Sequence, residues 1–338
     1  MALKVLVLKD PSQMFSLNWF IADFFDNYFR FGVDLFLMLA GALSLGREWK
    51  ISGFLGKRLP RIIEPYLFWL FATAGIYLLV QFLNPGILTV VPSFTAYNIF
   101  EFILKAFQSE TTYFYSYWFF WMILGTYFIM PIVNKWILHS DIKEVEYFLV
   151  FWLITSLFTF TLKHDFPVTL TYFTSPLGMV VLGYYLRHTK RKIFNSIYFP
   201  ILLLIIGFVL EIGLSCIFAT PETYFKFNRY SITMVIKVVG IFLLFRNIDA
   251  KNIFSNTLPR IKNIFKKAVF SIAKYSYGFY LIHLCILNLL IGVIKYVFPF
   301  ERYKLLLLIL FILTLAFSWI LMAVLNRIPY INQIIGAK

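Results

Sequence analysis

The chain has 338 residues, of which 61% are hydrophobic, 21% aromatic and only 14% charged, whereas soluble domains average about 25% charged. That composition excludes a soluble globular domain and describes a polytopic membrane protein. The formal net charge of +15 does not point to nucleic acid, because the cations stand in short clusters between apolar runs rather than along one soluble face.

The opening MALKVLVLK is too short an apolar run for a signal peptide, and no small-residue cleavage pattern follows it. Residues 1–27 contain no histidine and no full span, so a short non-spanning segment is expected there. A helix needs roughly 20 apolar residues to cross the hydrocarbon core, and this criterion predicts about nine spans, at about 28–45, 64–83, 115–137, 146–162, 168–186, 197–219, 230–246, 272–294 and 304–326. Alternating the connections puts the basic concentrations at 46–63, 187–196 and 246–274 on one side, which the positive-inside rule makes cytoplasmic. The opposite loops, 84–114 and 219–229, carry few cations and more Pro, Thr, Tyr and Phe. The C-terminus then lies inside, and an odd number of spans puts the N-terminus outside, a parity that predicts a further helix ahead of the first. The expected fold is an all-α, polytopic helical bundle, with residues 28–338 as one transmembrane domain. Cys216 and Cys285 both fall in apolar stretches, which leaves neither a disulfide framework nor a metal-ligand pattern.

A charge at the bilayer centre costs on the order of 3 kcal/mol, so ionisable groups within spans need partners or a purpose. Four stand out: Asp34, Glu211, Lys237 and His283. Glu211 and Lys237 lie on consecutive spans at matching depth and are expected to pair, a structural ion pair being favoured over a substrate contact. Asp34 follows Arg30 by four residues, a spacing that lets the two meet on one helix face. His283, in YSYGFYLIHLCIL, sits near the membrane middle; it is either hydrogen-bonded to a neighbouring helix or a general base or substrate contact. Ser276 and Tyr280, at the preceding helical spacings, place a polar stripe beside it. His139, His164 and His188 fall at loop edges and read as solvated. Lys57, Arg58 and Arg61, in GKRLPRIIEPYLFW, are explained by topology alone or by an anionic ligand.

Several stretches together resemble the membrane acyltransferase family 3. RFGVDLFLMLAGALSLG is similar to the family's second-helix pattern, with Ala40 at the usual serine position before Gly41; FLGKRLPRIIEPYLFW resembles the Arg-x-x-Arg element that follows, at Arg58 and Arg61. YWFFWMILGTYFIMPIV, VVLGYYL, KYSYGFYLIHLCIL and RIPYINQIIG resemble later blocks in family order, so the match spans residues 18 to 336. One departure stands out: the family's first helix carries an arginine and, about ten residues on, a catalytic histidine, and neither a histidine nor a full span occurs in residues 1–27.

The resemblance implies ten helices in the full pattern and a multi-pass protein of a bacterial or archaeal plasma membrane. It implies transfer of an acyl group, commonly acetyl, from cytoplasmic acyl-CoA to a hydroxyl of an envelope glycan or lipid-linked sugar, with no metal. Lys57, Arg58 and Arg61 would then hold CoA phosphates, for which guanidinium geometry is well suited, and His283 matches the histidine of the YLIH block as a catalytic candidate. The alternative from another class is a non-catalytic or truncated member that binds or exports an envelope polysaccharide without CoA. An unrelated secondary transporter would show inverted repeats with interrupted helices, and the sequence carries none.

Overall fold

The computed structural model describes residues 15–162, 176–218, 228–248, 259–297 and 303–337. Its helices are α1 (Leu17–Asn27), α2 (Gly32–Ser44), α3 (Ile51–Leu83), α4 (Ala96–Phe107), α5 (Trp118–His139), α6 (Ile142–Thr155), α7 (Pro176–His188), α8 (Tyr198–Phe218), α9 (Ile232–Asn247), α10 (Pro259–Val297), α11 (Tyr303–Leu325) and α12 (Ile331–Ile334). No strand occurs among the described residues, so the chain is the all-α bundle its composition requires.

Among the described residues six helical stretches are long and apolar enough to cross a membrane: Ile51–Leu83, Ala96–His139, Ile142–Leu162, Tyr198–Phe218, Lys266–Tyr296 and Leu308–Leu325. They coincide with six of the nine expected spans. The other three fall on α2, α7 and α9, which have 13, 13 and 16 residues; residues 168–175 of one of them lie outside the described residues. These helices are walled in by protein on much of their surface, and a helix apolar all round because protein surrounds it reads in hydropathy like one surrounded by lipid.

The chain divides into two compact units, one formed by Met1–Trp49 and Ile129–Asn256, the other by Lys50–Phe128 and Thr257–Lys338. In the first unit α2 and α7 touch backbone to backbone. A Cβ on Gly41 would stand 1.8 Å from the Val180 carbonyl oxygen, and one on Gly183 would stand 2.0 Å from that of Met38. Reciprocal small residues of this kind let membrane helices approach closely, where van der Waals contact replaces the absent hydrophobic drive. The turn after α2 is closed by Asn134, whose amide accepts from Gly46 N at 2.8 Å and donates to Arg47 O at 2.9 Å.

The second unit is built around α3. Tyr66, 0% exposed, stacks on Phe120 at 3.7 Å between ring centroids and donates to Phe107 O at 2.6 Å, so its polar tip is satisfied inside an aromatic core. Trp69 Nε1 donates to Ile335 O at 3.1 Å, tying the C-terminal turn to α3. Asn288 of α10 donates to Tyr77 OH at 2.9 Å.

The basic run 46–63, expected as a loop before a span at 64, is a helix from Ile51 onward and runs unbroken through Pro60 and Pro65 to Leu83. Lys, Arg and Leu are good helix formers, and charge marks where a helix leaves the hydrocarbon, not where it begins.

Candidate functional site

Two polar constellations stand out, one in each unit. In the first unit Lys237 of α9 and Glu211 of α8 meet as expected, with Nζ donating to the two carboxylate oxygens at 2.8 and 2.6 Å. Gly207, one helical turn before Glu211, makes room for the lysine stem, since a Cβ there would lie 2.6 Å from Lys237 Cγ. The ammonium also donates to the Asn27 and Tyr28 carbonyls, each at 3.3 Å, and sits 4.7 Å from the Tyr28 ring centroid. Three N–H donors thus face four oxygen acceptors, and the ammonium is saturated by protein. Behind it, Asp23 Oδ1 accepts from Asn27 Nδ2 at 2.7 Å and from Ser215 Oγ at 3.1 Å.

The sequence reading missed Asp23, Asn27 and Ser215. A signal is present: Asp23 and Asn27 are four apart within an apolar run, on one helix face, but the run is too short for a span, and the cost of buried charge singles out residues only within spans.

Asp34 is buried, 0% exposed, yet neither carboxylate oxygen has a hydrogen-bond partner among the described residues. No hydrogen bond therefore joins Asp34 to Arg30, although Arg30 and Arg229 act on the carboxylate electrostatically. Arg30 lies in a 3-10 turn, Tyr28–Phe31, and the i,i+4 neighbourhood presupposes an unbroken α-helix.

Three arginines of the first unit are likewise engaged. Arg187 donates to Ala42 O at 2.7 Å. Arg246 donates to the Leu186 carbonyl and, at 2.8 Å, to Asn195 Oδ1. Arg191, in the segment after α7, forks onto Glu146 at 2.9 and 2.7 Å; these bonds raise its pKa from an already high value, so this cation stays charged and occupied.

The second unit differs. Lys57 and Arg61 are exposed one turn apart on α3, the i,i+4 spacing that puts both on one face, and neither forms an ion pair with a described residue. Between them the Arg58 guanidinium lies 5.8 Å from the Phe54 ring centroid, and Phe54 packs edge-on against Tyr127 at 6.1 Å. Immediately beyond this turn, Tyr277 of α10 donates to Ile62 O at 3.0 Å, joining the basic turn to the helix that bears His283. His283 is six residues further along α10, about 9 Å of helix axis.

His283 Nδ1 lies 2.6 Å from the Tyr280 carbonyl oxygen. A carbonyl only accepts, so Nδ1 carries the proton and Nε2 keeps its lone pair. The ring is flanked by Phe279, parallel at 6.3 Å, and by Tyr280 at 5.6 Å. Tyr280 is itself held, its hydroxyl donating to Ser116 O at 2.6 Å. Ser276 is exposed and its hydroxyl bonds Ala273 O of its own helix at 2.9 Å, so the polar stripe narrows to Tyr280 and His283. The hydroxyl of Ser116 is buried without a hydrogen-bond partner among the described residues, an unspent polar capacity next to the carbonyl that holds Tyr280. His139 and His188 are exposed at helix ends and bond carbonyls of their own helices at 2.8 and 2.9 Å; His164 lies outside the described residues.

A family model described as an acyltransferase domain matches residues 8–323. No curated protein and no solved structure matches the chain.

Proposed function

We propose, from the premise that this chain belongs to acyltransferase family 3, that it transfers an acetyl or similar acyl group from cytoplasmic acyl-CoA to a hydroxyl of an envelope glycan or lipid-linked sugar. The observation that carries this reading is the Tyr277–Ile62 hydrogen bond, which fixes the open basic turn of α3 beside the helix bearing His283. Lys57, Arg58 and Arg61 hold the CoA phosphates, by bidentate contacts at the two arginines. His283 presents Nε2 as general base. The acceptor hydroxyl gives its proton to Nε2 while its oxygen attacks the thioester carbonyl carbon. The C–S bond then breaks, and the proton passes from the imidazolium to the departing CoA sulfur, leaving ester and free thiol. Because one ring nitrogen is tied to a backbone carbonyl, the imidazole reaches the reaction in the right tautomer and orientation.

The test is acetyl transfer by the purified protein in proteoliposomes with labelled acetyl-CoA. His283→Ala is expected to lower kcat by about 100-fold or more, within the range general-base catalysis contributes. Full-rate transfer by that variant removes His283 from the chemistry. No transfer and no acetyl-CoA binding by the wild-type protein would favour a polysaccharide-binding role instead.

A further inference from the structure

Helix α10 has 39 residues and is about 58 Å long, roughly twice the 30 Å of a hydrocarbon core. Its stretch free of Asp, Glu, Lys and Arg runs from Tyr275 to Ile294, about 20 residues or 30 Å, which is one membrane crossing. Lys274 therefore stands at the hydrocarbon boundary, and Lys266 and Lys267 stand about 11 to 12 Å beyond it, at headgroup depth. An open cleft of about 430 Å³ lies along one face of α10, lined in part by Lys266, Lys267, Phe270, Ser271, Lys274 and Tyr275, every described lining residue belonging to this helix. Lys267, Ser271 and Lys274 follow at i, i+4 and i+7, one face of the helix. No carboxylate lines the cleft, and none of the three lysines forms an ion pair with a described residue. Phe270 is 72% exposed, an apolar ring held out beside three cations. The positive-inside rule accounts for cations near a span, but not for their gathering in one cleft with an outward-facing aromatic ring.

We infer that this cleft is a binding site for the phosphate of an anionic membrane lipid, the lysines taking the headgroup and Phe270 lying along the adjoining acyl region. Juxtamembrane lysines gain roughly 1 kcal/mol each from an anionic leaflet, about fivefold per lysine. The cleft shares no lining residue with the basic turn at Lys57, Arg58 and Arg61.

The full chain, purified in detergent, is titrated with short-chain phosphatidylglycerol and separately with short-chain phosphatidylcholine, with bound lipid counted by native mass spectrometry. The expected result is a preference of at least about tenfold for phosphatidylglycerol. That preference is lost in the triple variant Lys266→Gln, Lys267→Gln, Lys274→Gln and kept when the same positions become Arg. A control removing cations elsewhere (Lys143→Gln, Lys190→Gln, Lys192→Gln) keeps the preference if the cleft, rather than net charge, carries it. Equal binding of the two lipids by the wild type overturns the inference, as does an undiminished preference in the triple variant or a loss in the control. Displacement of phosphatidylglycerol by CoA, but not by inorganic phosphate, would also overturn it by assigning the lysines to the acyl donor.

Discussion

The cations gathered at the two constellations are used in opposite ways, although each unit also holds the other kind: Lys105 of the second unit pairs with Glu101 at 2.6 Å. In the first unit Arg187, Arg191, Lys237 and Arg246 are consumed by carbonyls and carboxylates of the same unit, so their charge is spent on architecture. In the second, Lys57, Arg61, Lys266, Lys267 and Lys274 form no ion pair with a described residue and stand exposed or half-exposed. Composition cannot make this distinction, since both sets read as basic clusters beside apolar runs. The difference teaches that a positive-inside signal holds two populations, cations that lock helices together and cations left for something that is not protein.

The contrast breaks most sharply at Lys237. Lys237→Met with Glu211 retained leaves a carboxylate buried without its counter-ion and should cost about 3 to 5 kcal/mol, read as a fall in thermal unfolding temperature in detergent. Adding Glu211→Gln should restore much of that loss, and a double variant no better than Lys237→Met would mean the pair is not the unit of stability. Gly183→Val comes next, because its side chain must start 2.0 Å from the Met38 carbonyl oxygen; overpacking of this kind costs about 1 to 3 kcal/mol or more and should reduce the yield of folded monomer on size exclusion.

In the second unit the expected effects move from stability to binding. Arg58→Ala with Arg61→Ala should raise KM for acetyl-CoA about tenfold, equivalent to about 1.4 kcal/mol, while thermal stability shifts by no more than about 0.5 kcal/mol. A large stability loss with unchanged KM would place these arginines with the structural set. The smallest effect belongs to Glu146→Gln, which frees Arg191. The arginine side chain is 60% exposed and exposed pairs contribute little, so transfer activity should stay within about twofold of wild type.

Much of the fold was legible before any coordinates. Hydropathy located six crossing helices, because twenty apolar residues are costly anywhere but in lipid or a protein core. The other three expected spans coincide with α2, α7 and α9, shorter apolar helices largely enclosed by protein. Glu211 and Lys237 could be matched by depth, as rise per residue is fixed. That no hydrogen bond joins Asp34 to Arg30 could not be read from spacing, because the 3-10 turn at Tyr28–Phe31 depends on how α1 and α2 are held. The candidate site was legible only in part. Arg58, Arg61 and His283 were singled out individually, but the Tyr277–Ile62 bond that brings their helices together links residues 215 positions apart, a separation no local pattern encodes.

By itself the sequence determined that this is an all-α membrane protein, which residues form its long helices, and that Glu211 needs a cation. Those follow from solvation energies and helix geometry, both local properties. Only the tertiary structure decided which cations are neutralised and which stay open, that the basic turn of α3 is joined to the helix of His283 through Tyr277, and that α2 and α7 meet through glycines. Those depend on contacts between distant segments, where the partner of a charge is chosen by packing and not by its neighbours in the chain.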